Sequence, residues 1–392
     1  MSSGPWSWEE IVASNDILRG VGMSRAMRQG STIALLVVLA SCTKAEKLEL
    51  GQLKLPAGFH ISIFAHSKEP RLLTFSPGGV LLASDVSENR ILAFPDPRHT
   101  GNSEPVVVTE ELREPQGIAF HNGKLYVAET HQLRRYDWDE PTLKATNGQV
   151  IAKLPEGDGH SSRSIVFHKD KMYVSAGSSC NLCIEKDPRR ATVMRFNDDG
   201  TGQEIFAHGV RNTVGMAVSP KTDTIWGTDN GRDMLGDDLP PDKINNLGSG
   251  GDFGWPYCYG NRIPDPWKSP GAERCKDTVP PKVELQAHSA PLGLAFYSGN
   301  MFPAEYHGDL FVALHGSWNR SVPTGYKIIR VRMDEKGEPK GVEDFITGWL
   351  KPGETKKGVH MGRPVGIAVA ADGSMYVSDD AGGVIYRVVW EK

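Results

Sequence analysis

Short internal repeats constrain the fold of this chain more strongly than any other feature of its sequence. An apolar segment of six residues recurs along the chain, and four of its copies carry glycine at the third position. The copies span residues 70–75, 115–120, 162–167, 213–218, 291–296 and 364–369. A turn and further strand-like segments follow each copy, so each repeat is predicted to contain four strands.

Six four-stranded repeats predict an all-β chain folded as a six-bladed β-propeller. Residues 61–66 precede the first copy and are predicted to supply the outer strand of the sixth blade, which closes the ring. Closure removes the free sheet edges, and 43 glycines and 26 prolines suit a fold with many tight turns. A β-sandwich is the alternative, but repeats in one register make it the weaker interpretation. We expect residues 1–41 to be an N-terminal extension with a signal peptide, 42–56 a tether and 57–392 the propeller domain.

The N-terminal region has the order of segments found in an export signal. An apolar stretch at 33–40 follows Arg25 and Arg28 and leads into Cys42. The segment resembles a bacterial lipobox, so Cys42 is predicted to be lipidated and to become the mature N-terminus; an ordinary buried strand is the alternative. No apolar run approaches the ~20 residues of a membrane-spanning helix. We therefore expect an exported protein, periplasmic or anchored to the membrane by its lipid alone.

The remaining four cysteines are predicted to form disulfides, because an even number in an exported chain is typical of such bonds. We favour the pairs Cys180–Cys183 and Cys258–Cys275, although four cysteines allow three pairings. Cys180 and Cys183 are also spaced like half of a zinc site or a redox pair. No second such pair of cysteines or histidines completes a zinc site, so the disulfide is the favoured interpretation.

The repeat register brings two residues from each link between consecutive blades to one mouth of the central channel. These residues are Lys68 and Glu69, Arg113 and Glu114, His160 and Ser161, Arg211 and Asn212, Ser289 and Ala290, and Gly362 and Arg363. A ring with several cations and one histidine suits a small ligand with several negative charges. Nucleic acid is not expected as a partner, because the net charge is −4 and no basic tract is present.

Four segments together resemble one known family. They lie at 157–163, 209–215, 237–256 and 362–366, in that order on the six repeats. The chain is similar over residues 57–390 to the quinoprotein glucose/sorbosone dehydrogenases, propellers that depend on pyrroloquinoline quinone (PQQ) and calcium. Residues 314–320 look closer to the sorbosone dehydrogenase branch than to the soluble glucose dehydrogenases.

The resemblance implies a set of residues that contact the cofactor. Arg211 and Arg363 match family positions that bind PQQ, a tricarboxylate quinone, and arginine suits bidentate recognition of carboxylates. Asn212 would add an amide hydrogen bond. The family also has a lysine on the fifth blade that contacts the quinone, and His315 occupies the nearest position in this chain.

The resemblance also implies a calcium site and a general base. Backbone carbonyls at Gly231 and Arg232 would hold Ca²⁺, and Asp237 and Asp238 are further acidic candidates, for the same ion or a structural one. The ion would act as a Lewis acid on the quinone carbonyl. His160 matches the family's base, which takes a hydroxyl proton from the sugar during hydride transfer to the quinone.

The resemblance therefore implies a sugar dehydrogenase that oxidises an aldose or sugar aldehyde and passes electrons to a respiratory quinone or cytochrome. A calcium-dependent lactonase-type hydrolase is one alternative, since six-bladed propellers also carry hydrolytic metal sites. It requires carboxylates that converge on a metal, and only Glu69 and Glu114 supply acids in the ring. A non-catalytic binding propeller is the other alternative, because the fold alone does not decide function.

Overall fold

The computed structural model describes residues 50–392 except 97, 100, 102, 103 and 249. The export segment and Cys42 lie outside the described residues, so export and lipidation stay predictions. The described start of the chain is a 3₁₀ turn, Leu50–Gln52, followed by Lys54, which forms an isolated β-bridge with Thr347. The last residues of the expected tether therefore contact the fifth repeat.

The described residues form six four-stranded antiparallel blades, as the repeats predicted. Blade 1 comprises Pro70–Phe75, Leu81–Asp85, Arg90–Phe94 and Val106–Thr109, and blade 2 comprises Gly117–His121, Lys124–Glu129, Gln132–Asp139 and Lys144–Lys153. Blade 3 comprises Ile165–His168, Lys171–Ala176, Thr192–Asn197 and Glu204–His208, and blade 4 comprises Met216–Val218, Ile225–Asp229, Asp242–Asn246 and Val283–Leu285. Blade 5 comprises Pro291–Phe296, Leu310–Leu314, Lys327–Met333 and Pro339–Ile346, and blade 6 comprises Pro364–Val369, Met375–Asp379, Val384–Trp390 and Phe59–His66.

The N-terminal strand closes the propeller. Phe59–His66 pairs antiparallel with Val384–Trp390 and becomes the outer strand of blade 6. The first strands of consecutive blades contact one another around the whole circle, including those of blades 6 and 1. Buried apolar clusters fill the spaces between neighbouring blades, so each blade is covered on both faces.

The glycine of the repeat permits the close approach of neighbouring blades. A Cβ atom added at Gly117, Gly215, Gly293 or Gly366 would lie 2.2–2.6 Å from a backbone oxygen in, or just before, the next blade's first strand. Real Cβ atoms do not approach backbone so closely, because such a contact is strongly repulsive. The glycines therefore set the radius of the ring.

The last residue of the second strand fixes the links at the channel mouth. Four blades end this strand with an acid whose carboxylate accepts a hydrogen bond of 2.7–3.0 Å from a link backbone N–H. The pairs are Asp85 with Glu69, Glu129 with Arg113, Asp229 with Asn212, and Asp379 with Arg363. These bonds satisfy buried backbone donors and hold the links at fixed positions.

A long insertion separates the last two strands of blade 4. It contains the short strands Gly251–Asp252, Cys258–Tyr259 and Ile263–Pro264 and the 3₁₀ segments of Pro266–Asp277, with a kink at Lys268. Gly251–Asp252 adds to blade 3 as a parallel edge strand. Another 3₁₀ turn, Ala304–Tyr306, lies in blade 5.

Both favoured disulfides are present in the structure. Cys180 pairs with Cys183, and Cys258 pairs with Cys275 across the blade 4 insertion. Within the described part of the chain, no helix has the length and apolar character needed to cross a membrane.

Candidate functional site

A cavity of about 230 Å³ lies at the channel mouth where the links converge. Several predicted site residues line it together, namely His160, Arg211, Asn212, Gly231, His315 and Arg363. Arg71, Asp233, Asp242 and Trp318 also line it and were not foreseen from the sequence. The links of blades 3, 4 and 6 thus meet as the repeat register predicted.

His160 lies in the link between blades 2 and 3, with its ring against Ser178. Its Nδ1 is 3.0 Å from both the carbonyl oxygen and the hydroxyl oxygen of Ser178. A carbonyl oxygen only accepts hydrogen bonds, so Nδ1 carries the proton of the neutral ring and Nε2 carries the lone pair. Nε2 has no hydrogen-bond partner among the described residues. Burial, followed by the positive charge of Arg211, lowers the His160 pKa to about 3, so the imidazole is neutral near pH 7.

Two buried arginines hold the backbone of the His160 link. Arg163 donates to the His160 carbonyl oxygen at 2.9 Å and to the Pro155 carbonyl oxygen at 2.6 Å. Arg190 donates to the same His160 oxygen at 2.9 Å and to Gly177 at 3.1 Å. Guanidinium groups carry five donors in a rigid fork, which lets each arginine bind several carbonyls of one loop. Neither arginine was identified from the sequence, because each lies outside the ring positions.

Arg211 has protein acceptors for all of its donors. Its Nε and Nη2 donate to the backbone oxygen and side-chain oxygen of Asn181 at 3.1 and 3.0 Å. Nη1 donates to Gly231 at 2.8 Å and more weakly to Asn230 at 3.4 Å, and Nη2 pairs with Asp233 at 3.2 Å. Arg211 therefore lines the cavity as a fixed positive charge.

Arg363 and Arg71 face the cavity with unmet donors. Arg363 donates from Nε and Nη2 to two blade 5 carbonyls at 3.1 and 2.9 Å, and its Nη1 has no acceptor in the described chain. Arg71 pairs with Asp380 at 2.5 Å, whereas its Nε is buried without a partner. Asn212 Oδ1 is also buried without a partner. A ligand with several carboxylates and a hydrogen-bond donor would satisfy these atoms.

His315 is held by Asp380 on the opposite side of the cavity from blade 3. Its Nε2 lies 2.9 Å from an Asp380 oxygen, and the carboxylate only accepts, so Nε2 carries the proton. Burial lowers the His315 pKa to about 4 in spite of this carboxylate. Because Asp380 also pairs with Arg71, these three side chains form one connected group.

The oxygen atoms beside Gly231 are the candidate calcium ligands. The Gly231 carbonyl accepts from Arg211 and keeps a second lone pair, while its N–H donates to Asp242 at 2.8 Å. Asp242 is almost fully buried and forms no ion pair among the described residues, and burial raises its pKa to about 7. The Arg232 side chain points elsewhere and pairs with Asp265 at 2.6 Å. Carbonyl and carboxylate oxygens are the ligands that Ca²⁺ prefers.

Asp237 and Asp238 do not line the cavity. Asp237 accepts from the Ser321 backbone at 3.0 Å, and Asp238 pairs with Arg320 at 2.9 Å with its side chain 82% exposed. Both acids therefore join the blade 4 loop to the blade 5 loop that carries Trp318. Because these two acids follow Gly231 closely in the sequence, they were expected at the same site, but the loop turns away from the cavity before it reaches them.

The other ring positions in the links before blades 1, 2 and 3 divide into two groups. Lys68 and Arg113 turn outward and pair with the exposed acids Glu88 and Glu156. Glu69, Glu114 and Ser161 line a second cavity of about 480 Å³, which shares Arg71 and Ser162 with the first. The register thus predicted the positions of the links but not the directions of long side chains.

These features define a class of protein, a closed six-bladed propeller that presents cations and a neutral histidine to a small ligand at the channel mouth. The chain belongs to the TrAA12-like family, whose model matches residues 53–391. A solved structure described as the calcium structure of Trichoderma reesei carbohydrate-active enzyme family AA12 superposes with a TM-score of 0.77 at 19% identity. The match covers 86% of this chain and 97% of that one, which establishes the shared fold.

Two relatives extend this comparison at the level of sequence. An uncharacterized protein of Borreliella burgdorferi is 33% identical over 385 residues, which cover 92% of this chain and 97% of the relative. A pyrroloquinoline quinone-dependent pyranose dehydrogenase of Coprinopsis cinerea is 25% identical over 404 residues and 86% of this chain. This chain spans about half of the Coprinopsis protein, since the match covers 54% of it. The family-level resemblance is thereby confirmed, and its sorbosone branch stays a prediction.

Proposed function

We propose that this chain is a PQQ- and calcium-dependent sugar dehydrogenase that oxidises an aldose or sugar aldehyde. The observation that carries the proposal is the cavity in which His160 Nε2 is free and unprotonated beside the unmet donors of Arg363 and Arg71. The PQQ-dependent activity in the name of the Coprinopsis relative and the calcium in the Trichoderma structure's description support the same function.

The cavity fits the charge of a tricarboxylate cofactor. Arg363 would bind a carboxylate through its free Nη1, and Arg71 would offer its unpartnered Nε. The Asn212 oxygen would accept from a ring N–H. Arg211 contributes charge at short range, although its own donors are held by the protein. Bound PQQ supplies a two-electron acceptor, which the side chains of this cavity lack.

His160 would act as the general base. Its Nε2 lone pair can accept the proton of a sugar hydroxyl, while Ser178 holds Nδ1–H and fixes the ring orientation. Removal of this proton increases the tendency of the adjacent carbon to release hydride. Arg163 and Arg190 keep the link in place during this transfer, because they bind its carbonyl oxygens.

A calcium ion would bind at the Gly231 carbonyl and the Asp242 carboxylate, with the Arg232 carbonyl as the next oxygen of the same turn. A divalent cation would neutralise the buried Asp242 carboxylate and add positive charge to the cavity. Asp237 and Asp238 are not part of this proposal, since they contact the Arg320 loop.

The lactonase alternative receives no support from the distribution of acids. Among the described residues, the only group of three potential metal-binding side chains is Cys180, Cys183 and Glu185, and these cysteines are in a disulfide. Glu69 and Glu114 do not form such a group with a third ligand in the described chain. A purely binding propeller would not require the tautomer that leaves His160 Nε2 free.

The finer parts of the proposal concern branch, acceptor and location. We propose a sorbosone-type sugar aldehyde as one substrate and a respiratory quinone or cytochrome as the electron acceptor. The two disulfides support export, because such bonds persist in oxidising compartments. The lipid anchor at Cys42 would be contradicted by an unlipidated Cys42 in the mass spectrum of the exported chain.

Reconstitution tests the proposal directly. Protein stripped with a chelator is expected to reduce a dye in the presence of sugar only when PQQ and Ca²⁺ are both restored. Arg363→Gln should weaken PQQ binding by roughly 10- to 100-fold, because it removes charge-assisted hydrogen bonds. Arg332→Gln is the control, since Arg332 is an exposed blade 5 residue outside the cavity. Folded protein that binds no PQQ at micromolar concentration would contradict the proposed function.

A further inference from the structure

The second cavity at the channel mouth has a chemical character different from the first. It is a lobe of about 480 Å³ between blades 1, 2 and 3, and Arg71 and Ser162 lie on the boundary with the His160 cavity. We call it the acidic lobe, defined by Glu69, Glu114 and Gln116 among its lining residues. Because the two cavities share these residues, a sugar bound beside His160 can reach this lobe.

The two carboxylates of the acidic lobe have no cationic partner of their own. Glu114 accepts a hydrogen bond of 2.9 Å from Thr130, and neither Glu69 nor Glu114 forms an ion pair within the described residues. Burial raises the pKa of Glu69, and nearby Asp380 and Asp85 raise it further against the lowering effect of Arg71. Arg71 is already paired with Asp380. The lobe therefore carries net negative charge beside a cavity that carries net positive charge.

Most of the remaining surface of the lobe consists of short polar groups. Asn89 and Gln116 supply amides, and Ser87, Ser161 and Ser162 supply hydroxyls. Gln116 is 4% exposed, and its Oε1 is buried without a hydrogen-bond partner. Carboxylates, amides and hydroxyls together match the donors and acceptors of a polyhydroxylated ligand, and Arg71, the cation on the boundary of the lobe, is already paired with Asp380.

We propose that the acidic lobe is a sugar-binding subsite that holds the non-reacting part of the substrate and selects neutral and amino sugars against acidic sugars. The inference rests on the proposed function and names the substrate class of the same site. A sugar carboxylate in the lobe would lie near the carboxylates of Glu69 and Glu114, whose like charges would repel it. A tricarboxylate cofactor is repelled for the same reason, so the lobe stays open to substrate when the cationic cavity is filled.

Turnover of three sugars that have similar size but different charge tests the subsite. Full-length protein reconstituted with PQQ and Ca²⁺ is assayed by dye reduction with glucose, glucosamine and glucuronate. We expect kcat/KM for glucuronate to be at least ~10-fold below that for glucose. In the double variant Glu69→Gln/Glu114→Gln, the ratio of glucuronate to glucose kcat/KM should rise at least ~10-fold, because glutamine removes charge and keeps side-chain length.

Glu156→Gln is the matched control, since this glutamate is exposed, pairs with Arg113 and lies outside both cavities. It should leave the ratio unchanged, and an unchanged ratio in the double variant would overturn the inference. Ligand-observed NMR of the chain without PQQ provides a second readout. Glucosamine should show binding that the double variant weakens, and glucuronate should not compete. If the chain binds glucosamine in this way but oxidises no sugar, the subsite is supported and the proposed dehydrogenase function is contradicted. If the chain oxidises sugars without discriminating by charge, the dehydrogenase function is supported and the subsite is contradicted.

Discussion

At the scale of single residues, the site depends on how the protein fixes the proton of His160. The Ser178 carbonyl accepts a hydrogen bond from Nδ1 and so selects the tautomer with its proton on Nδ1. Burial and the positive charges of three neighbouring arginines lower the pKa of the ring and keep it neutral. A base with a pKa near 3 is weak by itself, but an anionic ligand beside the ring would raise that pKa towards the range in which a base is effective. The residue is therefore suited to act only when the cavity is filled.

His160→Gln tests this role. Glutamine retains approximate size and hydrogen bonding but cannot take up the proton, and general-base assistance is typically worth about 10²–10⁴ in rate. We expect kcat to fall at least ~100-fold while PQQ affinity and melting temperature stay close to wild type. His168→Gln is the control, since His168 is a mostly buried histidine of blade 3 outside the cavity. A folded His160→Gln protein with normal turnover would exclude His160 and direct attention to His315.

The residues that sequence reasoning found and missed differ in a physical way. His160, Arg211, Asn212 and Arg363 were found because repeat register fixes where a link runs. Arg71 and Asp380 were missed because their contact joins two different blades, and Arg163 and Arg190 were missed because they bind the link carbonyls from outside the ring positions. A further pattern was available in the sequence, namely the hydroxyl and acid that end the second strand in Ser84-Asp85, Thr228-Asp229 and Ser378-Asp379.

At the scale of elements, one disulfide-closed turn contacts both His160 and Arg211, two residues of the proposed site. Ser178 and Asn181 flank Cys180, and they bind the His160 ring and the Arg211 guanidinium respectively. The Ser178 hydroxyl also donates to the Cys180 carbonyl at 2.7 Å. The turn therefore fixes the distance between base and cation, and the disulfide restrains the turn.

Serine substitutions at the two disulfides should have opposite consequences. Cys180→Ser/Cys183→Ser should lower kcat and PQQ affinity at least ~10-fold with a small change in melting temperature, because a loop of separation 3 restrains little unfolded chain. Cys258→Ser/Cys275→Ser opens a loop of separation 17 and should cost about 3 kcal/mol in stability. Activity per folded molecule should persist in this second variant. Full activity in the Cys180/Cys183 variant would show that the turn needs no covalent restraint.

At the scale of the whole molecule, closure of the ring explains why the fold was predictable and its electrostatics were not. The number of blades and the closure of the ring are properties of the backbone, which the repeated glycines and the N-terminal strand constrain. The repeats therefore predicted six blades and a closed ring. Burial of charge is a property of the assembled ring. Asp242, for example, begins the third strand of blade 4, where burial in the assembled ring raises its pKa to about 7.

The buried histidines give the folded ring a sensitivity to acid. Burial lowers the pKa of His160 to about 3 and of His315 to about 4, whereas an unfolded histidine has a pKa of about 6.5. Below pH ~6.5 the unfolded chain therefore binds more protons at these two histidines than the folded chain does. Their contribution to the free energy of unfolding consequently decreases as the pH falls from ~6.5 towards 4. Asp242 and Asp379 oppose this trend, because their pKa values are raised in the folded protein.

A comparison of variants separates the effect of the two histidines on the pH dependence of stability from the opposing effect of the carboxyls. Between pH 5 and 6, the free energy of unfolding of the wild type should change with pH by roughly 2–2.5 kcal/mol per unit more steeply than that of His160→Gln/His315→Gln. Denaturant unfolding at half-unit pH intervals measures both slopes under the same conditions. His60→Gln/His66→Gln removes two exposed histidines of the closing strand and controls for the loss of imidazoles in general. Parallel curves for the wild type and His160→Gln/His315→Gln would mean that the folded ring lets these two imidazoles take up protons as freely as the unfolded chain does.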